Sequence, residues 1–379
     1  MLCKKTQEVF WRDRERQLFM MKFLILSGDC GNDCDSVAAA VYDAAKNAGI
    51  ECLIADPAVF SDDGIIAWQK LTDKLKKVRK KNKEHGRGVI SEYFFSSNFI
   101  KNLNDCIESE GFDAVISADL KVTETLTGKE TAAPFYAVLT DYTCPDIKQN
   151  APFDTYFIPH ESMRGELLAK NIPDSKISVF GFPVPLRFNK QRGKRAARNY
   201  LVIPEDRKVY LILASGMSEK NAEEICDDLL ITESGDFSVY CLCGRDSDVR
   251  DALTERYRGN EKVQVVAYND KVNIYMEAAD VVLSRPVGII SAEAAITAVP
   301  LVHISPLTTK DKTADFFSSR EMSLKGFDVR DAVKKAKRLL ENSAVSDRMK
   351  MIQKKNCPSD SAEKIVSTIS ECLKKKVKT

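Results

Sequence analysis

The stretch Ser284-Arg285-Pro286-Val287-Gly288-Ile289-Ile290-Ser291-Ala292-Glu293-Ala294-Ala295 follows a β-branched run, Ala279-Asp280-Val281-Val282-Leu283, and leads into a segment of helical composition. A strand, a Pro/Gly turn and a helix in that order is how α/β proteins build anion sites. Backbone N–H groups at the turn reach a phosphate, and the helix dipole favours its negative charge. In that reading Gly288 and Ser291 open the helix, Arg285 pairs with a phosphate, and Glu293 accepts hydrogen bonds from ribose hydroxyls. The alternative is an ordinary strand-to-helix connection, with Ser291 as cap, Glu293 as a first-turn acid and Arg285 in a surface ion pair.

Outward from this stretch the same alternation repeats. Apolar runs at 209–214, 237–243, 263–267, 280–283 and 301–304 predict strands of one parallel sheet with helices between them. Runs at 23–27, 51–55, 114–117, 135–140 and 155–159 predict a second sheet, with helices over 36–48 and 97–110. Gly181-Phe182-Pro183-Val184-Pro185 between them suits a linker. The expected organisation is an N-terminal extension over 1–20, a domain over 21–185, a second domain over 186–355, and a helix with a basic tail over 356–379. Two doubly wound α/β domains imply a cleft at the carboxyl ends of their strands, where such sheets bind ligands.

Composition narrows the class. The chain has 379 residues and a net charge of only +2, so no overall field calls for nucleic acid. Its 11 cysteines lack zinc-ribbon or thioredoxin spacing, and buried reduced thiols of a cytoplasmic protein are the expectation. No apolar run is long enough to cross a bilayer. Residues 64–87 carry Trp68, Leu71, Leu75 and Val78 at helical spacing among Lys70, Lys74, Lys76, Lys77, Arg79, Lys80, Lys81 and Lys83. That pattern suits an anionic membrane surface, or else a solvated helix packing its stripe on the domain.

Further segments carry a resemblance. Thr140-Asp141-Tyr142-Thr143-Cys144, Asp154-Thr155-Tyr156-Phe157-Ile158-Pro159-His160, Ile172-Pro173, Gly181-Phe182-Pro183-Val184, Cys243-Gly244-Arg245-Asp246, Ser291-Ala292-Glu293-Ala294, Pro300-Leu301-Val302 and Ala314-Asp315-Phe316 together resemble the UDP-sugar:diacylglycerol glycosyltransferases. That group includes monogalactosyldiacylglycerol synthases and processive diacylglycerol glucosyltransferases. The resemblance spans roughly residues 21–370. It implies a GT-B fold, with two Rossmann-like domains facing a central cleft, a nucleotide-sugar donor on the second and a lipid acceptor on the first.

Four loops depart from the family pattern. Its Gly-Asn-Gly-His loop reads Gly31-Asn32-Asp33-Cys34, so Cys34 stands where the family places its acceptor-side base. Its Met-Ser-Gly-Ser-Met-Gly loop reads Leu213-Ala214-Ser215-Gly216-Met217-Ser218, and its Lys-Pro-Gly-Gly reads Arg285-Pro286-Val287-Gly288. Its Pro-Gly-Gln-Glu segment is replaced by Leu307-Thr308-Thr309-Lys310.

The resemblance implies hexose transfer from a UDP-sugar to diacylglycerol or a related lipid by a protein peripheral on the inner membrane face. The alternative is an inactive homologue that binds a nucleotide or lipid as a sensor or partner; a UDP-N-acetylglucosamine 2-epimerase-like reaction ranks behind both. Gly216, Met217, Gly244, Arg245, Arg285, Gly288, Ser291 and Glu293 are the expected donor contacts. Asp141, Asp33 and Cys34 are the acceptor-side candidates, with Asp29 and Asp35 as further carboxylates near them. His160 and His303 read as structural. Nothing in the pattern calls for a metal or another cofactor.

Overall fold

Strands that are apolar at every position must be covered on both faces, and that requirement builds the molecule. The computed structural model describes residues 21–28, 32–61, 98–119, 128–144, 151–305 and 311–376, with positions 122, 126 and 147 between. The N-terminal extension, the basic segment 64–87, Asp29 and the 307–310 loop lie outside the described residues.

Residues up to Leu186, together with the segment from Asp360, form one compact unit; Arg187–Ser359 form the other. In the first unit β1 (Lys22–Leu26), α1 (Asn32–Asn47), β2 (Glu51–Ala55), α2 (Phe99–Glu110), β3 (Ala114–Ser117), β4 (Phe135–Val138), β5 (Thr155–Ile158), α3 (Ser162–Ala169) and β6 (Ile177–Val179) follow in order. The sheet runs β2-β1-β3-β4-β5-β6, parallel throughout. Every residue of β3 and β4 is buried. Phe99, Leu103 and Ile107 form the buried stripe of α2 and meet Leu24, Leu26, Phe135 and Phe153 in one core.

The second unit contains α4 (Lys194–Leu201), β7 (Lys208–Leu213), α5 (Glu219–Thr232), β8 (Phe237–Leu242), α6 (Ser247–Arg256), β9 (Val263–Val266), α7 (Val272–Ala278) and β10 (Val281–Ser284). It continues with α8 (Gly288–Thr297), β11 (Leu301–Ile304), α9 (Lys312–Ser319), β12 (Leu324–Gly326), α10 (Val329–Glu341) and α11 (Ser343–Asn356). Its sheet, also parallel, runs β12-β11-β10-β7-β8-β9. Edge strands β6 and β12 escape the apolar-run reading because each has only three residues.

The last helix, α12 (Ser361–Lys376), belongs to the first unit, although it follows the second in sequence. It packs on α1, burying Ala362, Ile365, Val366 and Ile369. The expected separate terminal segment is therefore part of the first unit's fold.

Candidate functional site

In the second sheet β7 leads to β8 and β9 on one side, while β10, β11 and β12 build outward on the other. Strand order reverses between β7 and β10, and the turns leaving their carboxyl ends must diverge there. That divergence opens the crevice in which doubly wound sheets bind ligands.

Three predicted donor residues meet at this point. Arg285, exposed just beyond β10, reaches across the crevice and donates from Nη1 to the Gly216 carbonyl beyond β7, at 2.5 Å. Gly216 has φ +69° and Gly244, beyond β8, has φ +61°, both in the left-handed region that glycine tolerates. A Cβ on Gly216 would stand 3.2 Å from Arg285 Nη1, and one on Gly244 would stand 3.1 Å from Ser215 Oγ. A side chain at either glycine would therefore crowd the neighbouring turn.

Arg245, exposed beyond β8, lies 4.9 Å from the ring centroid of Tyr268 beyond β9. Tyr268 is 60% exposed and presents a flat face beside a guanidinium. Nothing in the local sequence marks it. Its position just past the carboxyl end of β9, next to the turn that carries Arg245, becomes apparent only once strand order is known.

The helix ends distinguish the turns further. Ser218 caps α5 by accepting from the Asn221 N–H, and Asp246 caps α6 by accepting from the Val249 N–H. The cap residue of α8 is Val287, whose side chain has no acceptor to offer. Of the three helices that start at these turns, α8 alone lacks a side-chain cap, so its first-turn N–H groups remain donors for an anion.

The structure alters two of the expected contacts. The helix opens at Gly288, and Ser291 lies one turn inside it, fully buried. Its hydroxyl donates to Val287 O at 2.7 Å and lies 3.0 Å from His303 Nε2. Met217 is 3% exposed and packs in the second unit's core. Both side chains are occupied in holding the turns in place. Glu293 sits further along α8 and is 7% exposed, so any ligand it meets must approach the helix closely.

His303, on β11, fits its structural reading. Because Ser291 donates to Val287, its oxygen accepts from Nε2–H, and the Ser323 hydroxyl, 3.2 Å from Nδ1, donates to the other nitrogen. Burial, with a smaller contribution from Lys325, depresses its pKa to about 3. His160 Nδ1 accepts from the Ser162 N–H at 3.1 Å, as a local structural histidine does.

The acceptor-side candidates fare differently in the first unit. Cys34 is 3% exposed and its sulfur is disulfide-bonded, which corrects the expectation of a free thiol and removes it as a base. The Asp33 side chain lies outside the described residues. Asp141 is exposed; its oxygens accept from the Tyr142 N–H at 2.6 Å and the Thr143 hydroxyl at 3.3 Å within its own turn. Asp35 falls inside α1 and accepts from Ser27 Oγ at 2.9 Å.

A carboxylate that sequence reading passed over stands at the first unit's switch point. Strand order there reverses between β1 and β3. Gly28 lies beyond β1, and Asp119, 4% exposed, lies beyond β3. A Cβ on Gly28 would fall 2.2 Å from Asp119 Oδ2.

The family model described as monogalactosyldiacylglycerol (MGDG) synthase matches residues 70–184. A processive diacylglycerol beta-glucosyltransferase of Bacillus licheniformis is 23% identical over 371 residues, covering 92% of this chain and 94% of that protein. Among solved structures, the S. aureus MnaA–UDP co-structure aligns with a TM-score of 0.61 at 14% identity, covering 94% of this chain and 97% of that one. Acinetobacter baumannii MurG aligns with a TM-score of 0.60 at 12% identity, covering 93% and 99%. The fold is α/β of the GT-B class, and the resemblance read from the sequence is borne out.

Proposed function

We infer that this chain, related along nearly its whole length to the diacylglycerol glycosyltransferases, transfers a hexose from a UDP-sugar to diacylglycerol or a related lipid. The observation that carries the reading is its end-to-end correspondence with the processive diacylglycerol beta-glucosyltransferase. Arg285 beside the Gly216 turn and the amino end of α8 at the second unit's switch point support the donor half of that reading.

As the bond from sugar to diphosphate breaks, negative charge grows on the leaving group, and groups already aimed at it lower the barrier. Arg285 and the uncapped amino end of α8 are placed to receive that charge. The backbone turns at Gly216 and Gly244, which carry no side chain, are assigned to the approach of the diphosphate. Glu293 is assigned to the ribose, and Tyr268 with Arg245 to the planar base. A lipid acceptor places the reaction at a membrane surface, and the lysine-rich segment 64–87 is assigned to that contact. No helix among the described residues is long and apolar enough to cross a membrane.

Calorimetry with UDP, followed by UDP release from UDP-glucose and UDP-galactose in mixed diacylglycerol micelles, tests the reading. Binding with diacylglycerol-dependent release is expected. UDP binding with no release under any donor would instead identify a nucleotide sensor.

A further inference from the structure

The second unit holds a cavity at the end of its sheet opposite the switch point. Lys208, Asp280 and Pro300 bring the amino ends of β7, β10 and β11 to it, and Thr297 and Ala298 bring the carboxyl end of α8. Every residue of its lining belongs to this unit. Its volume of 390 Å³ falls within the range of about 300–1,000 Å³ typical of small-molecule sites.

One lining side chain is incompletely satisfied. Glu277, on α7, is 7% exposed. Its Oε2 accepts from the backbone N–H groups of Arg192 at 2.6 Å and Gly193 at 2.8 Å, which fixes the carboxylate in place. Its Oε1 has no hydrogen-bond partner among the described residues. A buried carboxylate oxygen without a donor is costly, and a donor brought by a ligand relieves that cost.

The charges around the cavity select the sign of that ligand. Its five cations, Lys194, Arg198, Arg207, Lys208 and Lys350, each already hold a carboxylate. Of its five acids, Glu205, Asp280 and Asp347 are in ion pairs, whereas Glu277 and Asp206 have no cationic partner among the described residues. The carboxyl end of α8, closed by Ala298 at φ +54°, adds partial negative charge. No group of three or more His, Cys, Asp or Glu among the described residues could hold a metal ion. A cation that brings its own N–H donors is the better fit.

We propose that this cavity binds an organic ammonium ion of the linear diamine class. One ammonium donates to Glu277 Oε1 beside the carboxyl end of α8, and the other neutralises Asp206. The site stands independently of the transferase reading, since α8 meets the donor crevice with its opposite end.

Calorimetry of the full chain with 1,4-diaminobutane at fixed ionic strength tests the site. One diamine per chain is expected to bind, and 1,4-butanediol, of the same length but uncharged, is expected not to. Glu277→Gln keeps an oxygen for the two backbone N–H groups and removes the charge; it should weaken the diamine about tenfold or more. Asp206 is exposed, so Asp206→Lys leaves the core intact and should weaken the diamine as well. Affinity unchanged in Glu277→Gln, or in Asp206→Lys should the first variant not fold, would overturn the assignment. So would butanediol binding equally well, or wild-type protein that takes up no diamine.

Discussion

On the proposed function, Glu293 and Tyr268 make separable demands on the nucleotide. A hydrogen bond to a buried carboxylate is worth about 1.5–3 kcal/mol, so Glu293→Ala should weaken UDP by roughly tenfold or more. Calorimetry reads this directly, and unchanged affinity would remove Glu293 from the ribose. Stacking a base on an aromatic ring contributes about 1–3 kcal/mol, so Tyr268→Ala should also weaken UDP, while leaving inorganic diphosphate unaffected. Glu293 was legible from its place after a Pro/Gly turn. Tyr268 was not, because its significance comes from Arg245 on a different turn. Ser291 shows the converse. A hydroxyl near a helix start reads as a ligand or cap until the start is seen to lie at Gly288.

Strands and helices place these side chains, and two buried polar clusters hold the strands. Arg198 of α4, with its side chain 3% exposed, bonds Asp280 Oδ2 at 2.8 Å and the Ala278 carbonyl at 3.0 Å. Asp280 also accepts from the Val209 N–H at 2.7 Å, so one network ties the amino ends of β7 and β10 together. Removing one partner of a buried pair costs about 3–5 kcal/mol, and Arg198→Met should lower urea-unfolding stability by that amount.

At the carboxyl end, neutral His303 joins β11 to α8. Its folded pKa of about 3 lies below the ordinary histidine value of 6.5. The unfolded chain therefore binds the extra proton first as pH falls. Stability from this group is intact above pH 6.5 and is lost steadily toward pH 3, reaching about 2 kcal/mol at pH 5. Comparing His303→Gln with wild type by thermal unfolding at pH 7.5 and pH 5 should show a smaller acid loss in the variant. Equal losses would place the acid sensitivity elsewhere.

For the molecule as a whole, the return of α12 to the first unit means that each unit's stability can be addressed separately. Ile365 is fully buried against the first unit. An Ile→Ala change in a core costs about 2–5 kcal/mol, so Ile365→Ala should lower the unfolding midpoint while UDP affinity, which the proposed function assigns to the second unit, stays the same. The basic segment 64–87 gives a second whole-chain expectation. Each lysine near an anionic surface contributes about 1 kcal/mol. Replacing Lys76, Lys77, Lys80 and Lys81 by Ser should therefore weaken sedimentation with anionic vesicles by roughly three orders of magnitude, and salt should weaken that of wild type. Insensitivity to both would place membrane contact elsewhere.

Chain order alone settled the two parallel sheets, because a strand covered on both faces must be apolar at every position and so announces itself in composition. It also disclosed the strand–turn–helix unit at Ser284–Gly288, since Pro, Gly and a following helix are local features. Pairings across dozens of residues are different in kind. Arg285 meets Gly216 from 69 positions away, and Asp119 meets Gly28, because strand order brings particular carboxyl ends side by side. Adjacency of that sort is a property of the folded sheet, where backbone hydrogen bonding between distant segments chooses the neighbours.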